Sequence, residues 1–213
     1  MQTTQNRKKT LTVAIAVAVT VLILAVLVPV VILWVDDMNT GPHMTIHFAD
    51  PSLSDDIYAD AEYMSLNRAI NYTTTEGYTV TVEIPETEYA KYSKEVQLLI
   101  RLIEAAIAGD ADGYNTCFTP EYLAASGAEE PFTMQKLYDI EIVNYHSSAA
   151  VGKEHAEIYQ NAAVYGLRYK IKDNNGSLRY DMGSDAVHEQ YISIVTDREG
   201  NALIYGIQTR YIR

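Results

Sequence analysis

The sequence has little of several features that usually reveal a function. It contains one cysteine, Cys117, in 213 residues, so no internal disulfide can form and a disulfide-stapled exported domain is excluded. Cys117 lies beside Phe118 in an apolar helical pattern, which indicates a buried structural thiol. No Gly-x-Ser-x-Gly, phosphate-binding glycine loop or zinc-spaced cluster is present. The motifs of several large enzyme classes are therefore missing.

Basic side chains are also scarce. After Val35 the chain carries 13 basic and 28 acidic side chains, a net charge of −15. Nucleic acids and anionic lipid head groups reward clustered Lys and Arg, so this balance argues against both as partners. Solubility outside the cell is a sufficient reason for the acidic surface.

Long uncharged runs are absent except for one. Residues 11–35 contain 25 residues without a charge, enough at about 1.5 Å per residue to cross a bilayer core of about 30 Å. A cleaved signal peptide is the alternative, but its apolar region runs only about 7–15 residues and ends at a small-x-small site. Trp34-Val35-Asp36 is not such a site. The run therefore predicts an uncleaved membrane anchor.

The flanks of this run predict its orientation. Arg7, Lys8 and Lys9 precede it and Asp36 and Asp37 follow it, which places the N-terminus in the cytoplasm. We expect a cytoplasmic tail (1–10), one transmembrane helix (11–35), a juxtamembrane linker with some secondary structure (36–90) and a folded extracellular domain (91–213). One uncharged span does not indicate a channel or pump.

The linker has weak patterns. Residues 53–69 favour a short helix, and residues 78–84 alternate like a strand that Pro85 stops. This segment is expected to space the domain from the membrane and to offer a strand or a partner-binding edge. His43 and His47 lack a third ligand nearby, so they are interpreted as surface histidines rather than a metal site.

The folded domain is predicted to open with helices. Ser93 can cap a helix that Gly109 ends, Asp110 can cap a second over residues 111–118, and Thr119-Pro120 starts a third. The first is apolar on more than one side, which predicts burial. Its apolar positions recur at helical spacing at Val96, Leu99, Ile103 and Ile107.

Beyond Pro131 the periodicity changes to two, which predicts strands. Asp173 to Gly176 is expected to be a hairpin turn, and residues 188–195 and 202–212 a second hairpin. Helices followed by an antiparallel meander predict an α+β fold in which helices cover the sheet. The expected one-face sets are Tyr138, Ile140 and Ile142; Ala163, Tyr165, Leu167, Tyr169 and Ile171; and Leu203, Tyr205, Ile207 and Tyr211.

The run from Leu99 to Tyr114, followed by Phe118-Thr119-Pro120-Glu121, resembles the opening of a nuclear-transport-factor-2-like domain, the cystatin-like cone. The resemblance covers roughly residues 88–213. It implies a long helix ending in Gly-Asp and a strongly curved antiparallel sheet wrapped around the helices. Because this cone serves enzymes, binders and scaffolds alike, the resemblance assigns no chemistry.

Ketosteroid-isomerase-like members of that superfamily use a carboxylate base and a Tyr or Asp donor inside the cone. The candidate pocket-lining residues here are Tyr114, Tyr165, Tyr169, Tyr191 and Tyr205. Routine packing explains tyrosines on a twisted sheet equally well, and no acidic residue can be placed beside them. His146, His155 and His188 are interpreted as surface or capping residues. The sequence favours no catalytic residue, no cofactor and no metal.

Two functions stay open. The favoured one is a membrane-anchored interaction or assembly module that binds another protein or itself in a bacterial envelope complex. Its layout of short inner tail, single span and outer cone resembles assembly-factor subunits of conjugation and type IV secretion machines. The alternative is a small-ligand-binding or isomerase-like domain that uses the cone interior.

Overall fold

The longest helix is built as its sequence predicts. This computed structural model describes residues 45–54, 56–159 and 162–209. Helix α2 spans Lys94–Ala108; the Ser93 side chain accepts a hydrogen bond from the Val96 N–H, and Gly109 ends the helix with a left-handed φ of 69°. A β-carbon at Gly109 would lie 2.8 Å from the Met134 nitrogen. Only glycine therefore fits at this position, because the backbone of residue 134 approaches it so closely.

Short helices surround α2. Two 3₁₀ turns (Pro51–Ser54 and Ile57–Ala59) and α1 (Ala61–Met64) stand where one helix over residues 53–69 was expected. Asp60 explains the break, because its extended backbone and side chain cap α1 and stop the preceding turn. A further 3₁₀ helix (Glu86–Lys91) precedes α2. Helices α3 (Ala111–Asn115) and α4 (Pro120–Ser126) follow it, capped by Asp110 and Thr119 as predicted.

Six strands form one mixed sheet in the order β2-β1-β3-β4-β5-β6. All neighbouring pairs are antiparallel except β1 and β3, which run parallel. The expectation of an α+β fold is confirmed, but the sheet is mixed rather than purely antiparallel. The strands are β1 (Ile70–Thr74), β2 (Val80–Glu83), β3 (Lys136–Ser147), β4 (Ala162–Lys172), β5 (Gln190–Thr196) and β6 (Ala202–Gln208).

The segment expected to be a linker contributes to this fold. The compact unit that contains the sheet starts at Ile46, and β1 and β2 extend the sheet beside β3. Ile57, Tyr63 and Ile70 from this segment are buried. Strand β1, which precedes α2 in the chain, pairs with β3, which follows it.

The core lies between α2 and one face of the sheet. Strand β4 supplies Tyr165, Leu167, Tyr169 and Ile171 to this core, and Ala163 packs against it, so the predicted face of β4 is confirmed. Arg168 and Lys170 extend from the opposite face into ion pairs with acidic side chains.

Two other predicted faces are wrong, each because of a bulge. In β3 the register shifts between Tyr138 and Glu141 around Asp139, whose φ is 50°. Leu137 therefore joins Ile140 and Ile142 in the core, and Tyr138 packs in a separate cluster with Ile57 and Tyr63.

In β6 a register shift falls beside Tyr205. Ala202 and Ile204 face the core with Ile207 packed against it, rather than Leu203 and Tyr205. The fourth member of the predicted set, Tyr211, lies outside the described residues.

The predicted turn at Asp173 to Gly176 is not a tight hairpin. Strands β4 and β5 are antiparallel neighbours, but residues 173–189 connect them. The buried side chain of Asn174 organises this connection. Its amide nitrogen donates to the backbone carbonyls of Arg179 (2.8 Å) and Met182 (2.7 Å), and its side-chain oxygen accepts a hydrogen bond from the Gly176 N–H. A local turn does form at Asn174 to Gly176, but the hydrogen bonds of the buried Asn174 side chain hold a longer loop between β4 and β5.

No helix within the described residues is long and apolar enough to cross a membrane. The predicted span over residues 11–35, its cytoplasmic tail and His43 lie outside the described residues.

Candidate interaction surface

The five candidate pocket tyrosines do not meet in one place. Tyr114, Tyr165 and Tyr169 belong to the packed core, each about 5% exposed. Tyr169 accepts a hydrogen bond from the Arg179 guanidinium at 2.8 Å, and burial raises the pKa of Tyr114 well above its usual value. All three side chains are thus part of one packed core cluster.

Tyr191 and Tyr205 lie on the opposite face of the sheet. The Tyr191 hydroxyl donates to Glu189 at 2.8 Å, and the Tyr205 hydroxyl lies 2.7 Å from His155 Nδ1. Tyr205 also packs edge-on against Tyr159 with ring centroids 5.8 Å apart. Both hydroxyls are thus engaged in contacts that attach neighbouring chain segments to the sheet.

A charged network holds the strands together on that same face. The Arg168 guanidinium contacts Glu189 at 3.0 Å and Glu141 at 3.2 Å. Burial by itself lowers the pKa of Arg168, but these acidic partners outweigh it and raise that pKa overall. The side chains of Tyr145 and Glu189 pack over Gly166 of β4. A β-carbon at Gly166 would lie 2.5 Å from a Glu189 carboxylate oxygen. Each member has a partner within the network, which is typical of a structural arrangement.

The predicted surface histidines have local partners. His146 Nε2 lies 2.6 Å from the Thr74 hydroxyl, and His188 lies 3.7 Å from Asp181. Among the described residues no group of three or more His, Cys, Asp and Glu side chains could hold a metal ion. Cys117 is buried, and burial raises the pKa of its thiol, so the described environment favours the neutral thiol over the reactive thiolate.

The two edges of the sheet differ. Along β6, the segment that joins α3 to α4 covers the edge: the Ile204 N–H donates to the Cys117 carbonyl at 2.8 Å, and the Thr119 N–H donates to the Ile204 carbonyl at 2.9 Å. Along β2, the described residues provide only one neighbouring strand, β1. An uncovered strand edge presents unpaired backbone groups that can pair with another chain.

The direction of the β2 backbone groups follows from one hydrogen bond. The Ile84 N–H donates to the Ile70 carbonyl at 2.8 Å, and in an antiparallel ladder every second residue bonds to the same neighbour. Val82 and Val80 therefore bond to their partners on β1, Tyr72 and Thr74. The backbone N–H and C=O groups of Thr81 and Glu83 face away from β1.

The side chains on and beside β2 are unusually open for apolar residues. Val82 is 43% exposed and Tyr78, just before the strand, is 75% exposed. On the other face the Thr81 hydroxyl lies 2.7 Å from the Thr73 hydroxyl, which in turn donates to Glu141. The edge is thus anchored to the sheet's polar network and exposed on its outer side.

A cleft of about 520 Å³ opens where β2 ends. Its walls combine apolar side chains, including Ile84, Tyr89 and Ile107, with charged groups. The charged lining residues are Arg68, Glu83, Glu86 and Glu104.

The cleft is electrostatically unbalanced. Arg68 stacks over the Tyr63 ring at 5.7 Å, and no ion pair among the described residues joins a cation to Glu83, Glu86 or Glu104. Partial burial, with Glu86 nearby, raises the pKa of Glu104. The cleft therefore offers negative charge on an apolar floor.

The alternation at residues 78–84 predicted the strand, and the segment 36–90 was expected to add a strand or a partner-binding edge, but no sequence pattern indicated the cleft. Its walls come from three separated parts of the chain: residues 58–70, residues 83–89 and the end of α2. The antiparallel pairing of β1 with β2 joins the first two parts, and the packing of Ile107 against the cluster of Ile57 and Tyr63 adds the third. No single local pattern predicts this combination.

Comparisons of the chain with models of known protein families, with curated proteins and with solved structures found no match.

Proposed function

We propose that this protein is a membrane-anchored, extracytoplasmic interaction module of a bacterial envelope or secretion assembly that binds a protein partner by strand addition at β2. In this mode an extended segment pairs with an exposed sheet edge; backbone hydrogen bonds supply affinity and side-chain contacts supply specificity. The observation that carries the proposal is the difference between the two edges: residues 117–119 cover one, and no strand within the described part of the chain pairs with the outer side of the other.

The proposed architecture keeps the anchor at residues 11–35 with the N-terminus in the cytoplasm, and the domain outside. We further propose that the domain is a nuclear-transport-factor-2-like cone. A long helix ending at Gly109-Asp110, two short helices and the antiparallel run β3 to β6 support it. The hairpin β1–β2 ahead of the long helix is an addition to the expected order.

A ligand-binding cone interior is the alternative. The side chains proposed to line it give it less support, since Tyr114, Tyr165 and Tyr169 are packed and Tyr191 and Tyr205 lie on the other face. The β2 edge is therefore better supported as the binding site than the cone interior.

The proposal is tested with proline at the outward-facing position 81. Thr81→Pro removes a backbone N–H that points away from β1 and forms no hydrogen bond within the described residues. The β1–β2 hydrogen bonds of Val80 and Val82 stay in place. In detergent-solubilised full chain, crosslinking and mass measurement should show a co-purifying partner for the wild type and its loss in Thr81→Pro.

Thr81→Val is the matched control. It removes the hydroxyl bonded to Thr73 but keeps the backbone N–H, so partner recovery should stay at the wild-type level. Equal recovery with Thr81→Pro, at an unchanged unfolding midpoint, would reject strand addition at β2. A strictly monomeric wild type without any partner would reject the interaction function itself.

A further inference from the structure

If a partner strand binds at β2 as proposed above, the charges beside that edge decide which kind of segment it accepts. Residues 70–92, which contain β1, the edge strand β2 and the segment that follows them, carry four glutamates and one lysine. That lysine, Lys91, already contacts Glu88 at 2.6 Å. The surface beside the edge is therefore acidic, with no spare cation of its own in that segment.

The cleft lies in line with the edge. Glu83 is the last residue of β2, has an outward-facing backbone and also lines the cleft, followed by Ile84, Pro85 and Glu86. A strand paired along β2 would leave its ladder at Pro85, where the cleft opens. A side chain at or just beyond the end of such a strand would therefore lie beside Glu86 and Glu104.

The cleft is lined by three glutamates and one cation, Arg68, and none of the three carboxylates forms an ion pair within the described residues. Burial, and after it the charges of Glu104 and Glu86, raise the pKa of Tyr89. Burial and the charge of Glu86 likewise raise the pKa of Glu104, so the two carboxylates repel each other. A cation between the two carboxylates would relieve this repulsion, and a long side chain could lay its methylenes on Ile84 and Ile107.

A second copy of this chain is a poorer fit. The part of the chain after Val35 carries a net charge of −15, and copies paired through β2 would bring two acidic edges together. Like charge across an interface opposes association.

We propose that the β2 edge binds an extended, basic segment of a different protein, and that a Lys or Arg of that segment occupies the 520 Å³ cleft between Glu86 and Glu104. The strand supplies the backbone pairing, and the cationic side chain selects the partner.

The test uses fluorescent peptides with the wild-type full chain in detergent. The two probes are strand-forming peptides of alternating Val and Thr, one ending in two lysines and the other in two glutamates. Anisotropy titrations should show that the lysine peptide binds at least about tenfold more tightly, with an advantage that shrinks as salt increases.

Charge-neutralising variants place the cation. Glu86→Gln and Glu104→Gln together should remove most of the preference for the lysine peptide. Glu130→Gln, an exposed acidic residue that does not line the cleft, should leave it unchanged. Equal loss of preference in both proteins would assign it to overall charge and overturn the cleft assignment.

Failure of this inference differs from failure of the proposed function. If both peptides bind equally and Thr81→Pro abolishes both, the edge binds strands but the basic specificity is wrong. If the chain instead self-associates through an interface that Thr81→Pro disrupts, a second copy is the occupant and the inference is overturned. If neither peptide binds and Thr81→Pro leaves the native partner attached, strand addition itself is rejected.

Discussion

Two glycines with the same backbone conformation carry different demands. Gly109 and Gly77 have φ angles of 69° and 74°, but a β-carbon at Gly109 would meet the backbone of Thr133 and Met134, whereas one at Gly77 would meet nothing within 4 Å. The pair separates the cost of the left-handed conformation from the cost of crowding.

We expect Gly77→Ala to lower the free energy of unfolding by about 1 kcal/mol, the usual penalty of a left-handed L-residue. Gly109→Ala should cost about 3 kcal/mol, because crowding against backbone adds to that penalty. Urea unfolding of both variants measures the difference. Equal costs would mean that the segment 132–134 moves aside freely.

Lys136 ties the N-terminal segment to the sheet. Its side chain is only 6% exposed, and its amine contacts Asp60 at 2.7 Å and Asp173 at 2.9 Å. The hydrogen bond from Lys136 is the main cause that lowers the pKa of Asp60 below its usual 3.8. A carboxylate with a lowered pKa contributes stability at neutral pH that is lost as the pH falls through and below the unfolded value.

Lys136→Met should therefore cost about 2 kcal/mol at pH 7, discounted because both carboxylates are partly exposed. It should also flatten the decline in unfolding free energy between about pH 5 and pH 2. Chemical unfolding at both pH values checks this, and Lys153→Met, with no ion pair among the described contacts, serves as the control. A decline as steep as that of the wild type would contradict the assigned role of Lys136.

At the scale of elements, the sequence correctly predicted those features that are set by residues close together in the chain. The caps at Ser93, Asp110 and Thr119 and the core face of β4 follow from local patterns and are confirmed. The faces of β3 and β6 were wrong because each contains a bulge, and one inserted residue reverses the alternation beyond it.

The candidate site follows the same division. The β2 strand was predictable from its alternating residues and from Pro85. Its open edge depends on the position of β1 between β2 and β3, and the cleft depends on residues far apart in the chain. The pocket tyrosines were placed by periodicity alone, which cannot tell a packed interior from a hollow one.

At the scale of the whole molecule, the proposal joins the folded unit to a membrane. Native protein in its own membrane should resist extraction by alkaline carbonate, because an anchor of 25 uncharged residues partitions into the hydrocarbon core. Externally added protease on intact spheroplasts should remove an epitope at the C-terminus and spare one at the N-terminus. Carbonate release would contradict the anchor, and the opposite protection pattern would contradict its orientation.

The parallel pairing of β1 with β3 also has a consequence for the order of folding. Ile70 pairs with Ile140, and the whole of α2, α3 and α4 lies between them in the chain. During synthesis the hairpin β1–β2 emerges well before its partner strand, so the inner edge of β1 stays unpaired until β3 arrives. Closing such a distant contact is slow, because chain entropy must be lost before the contact forms. For that interval the hairpin has two open edges, so its exposure to wrong partners is greatest while the chain is still being made.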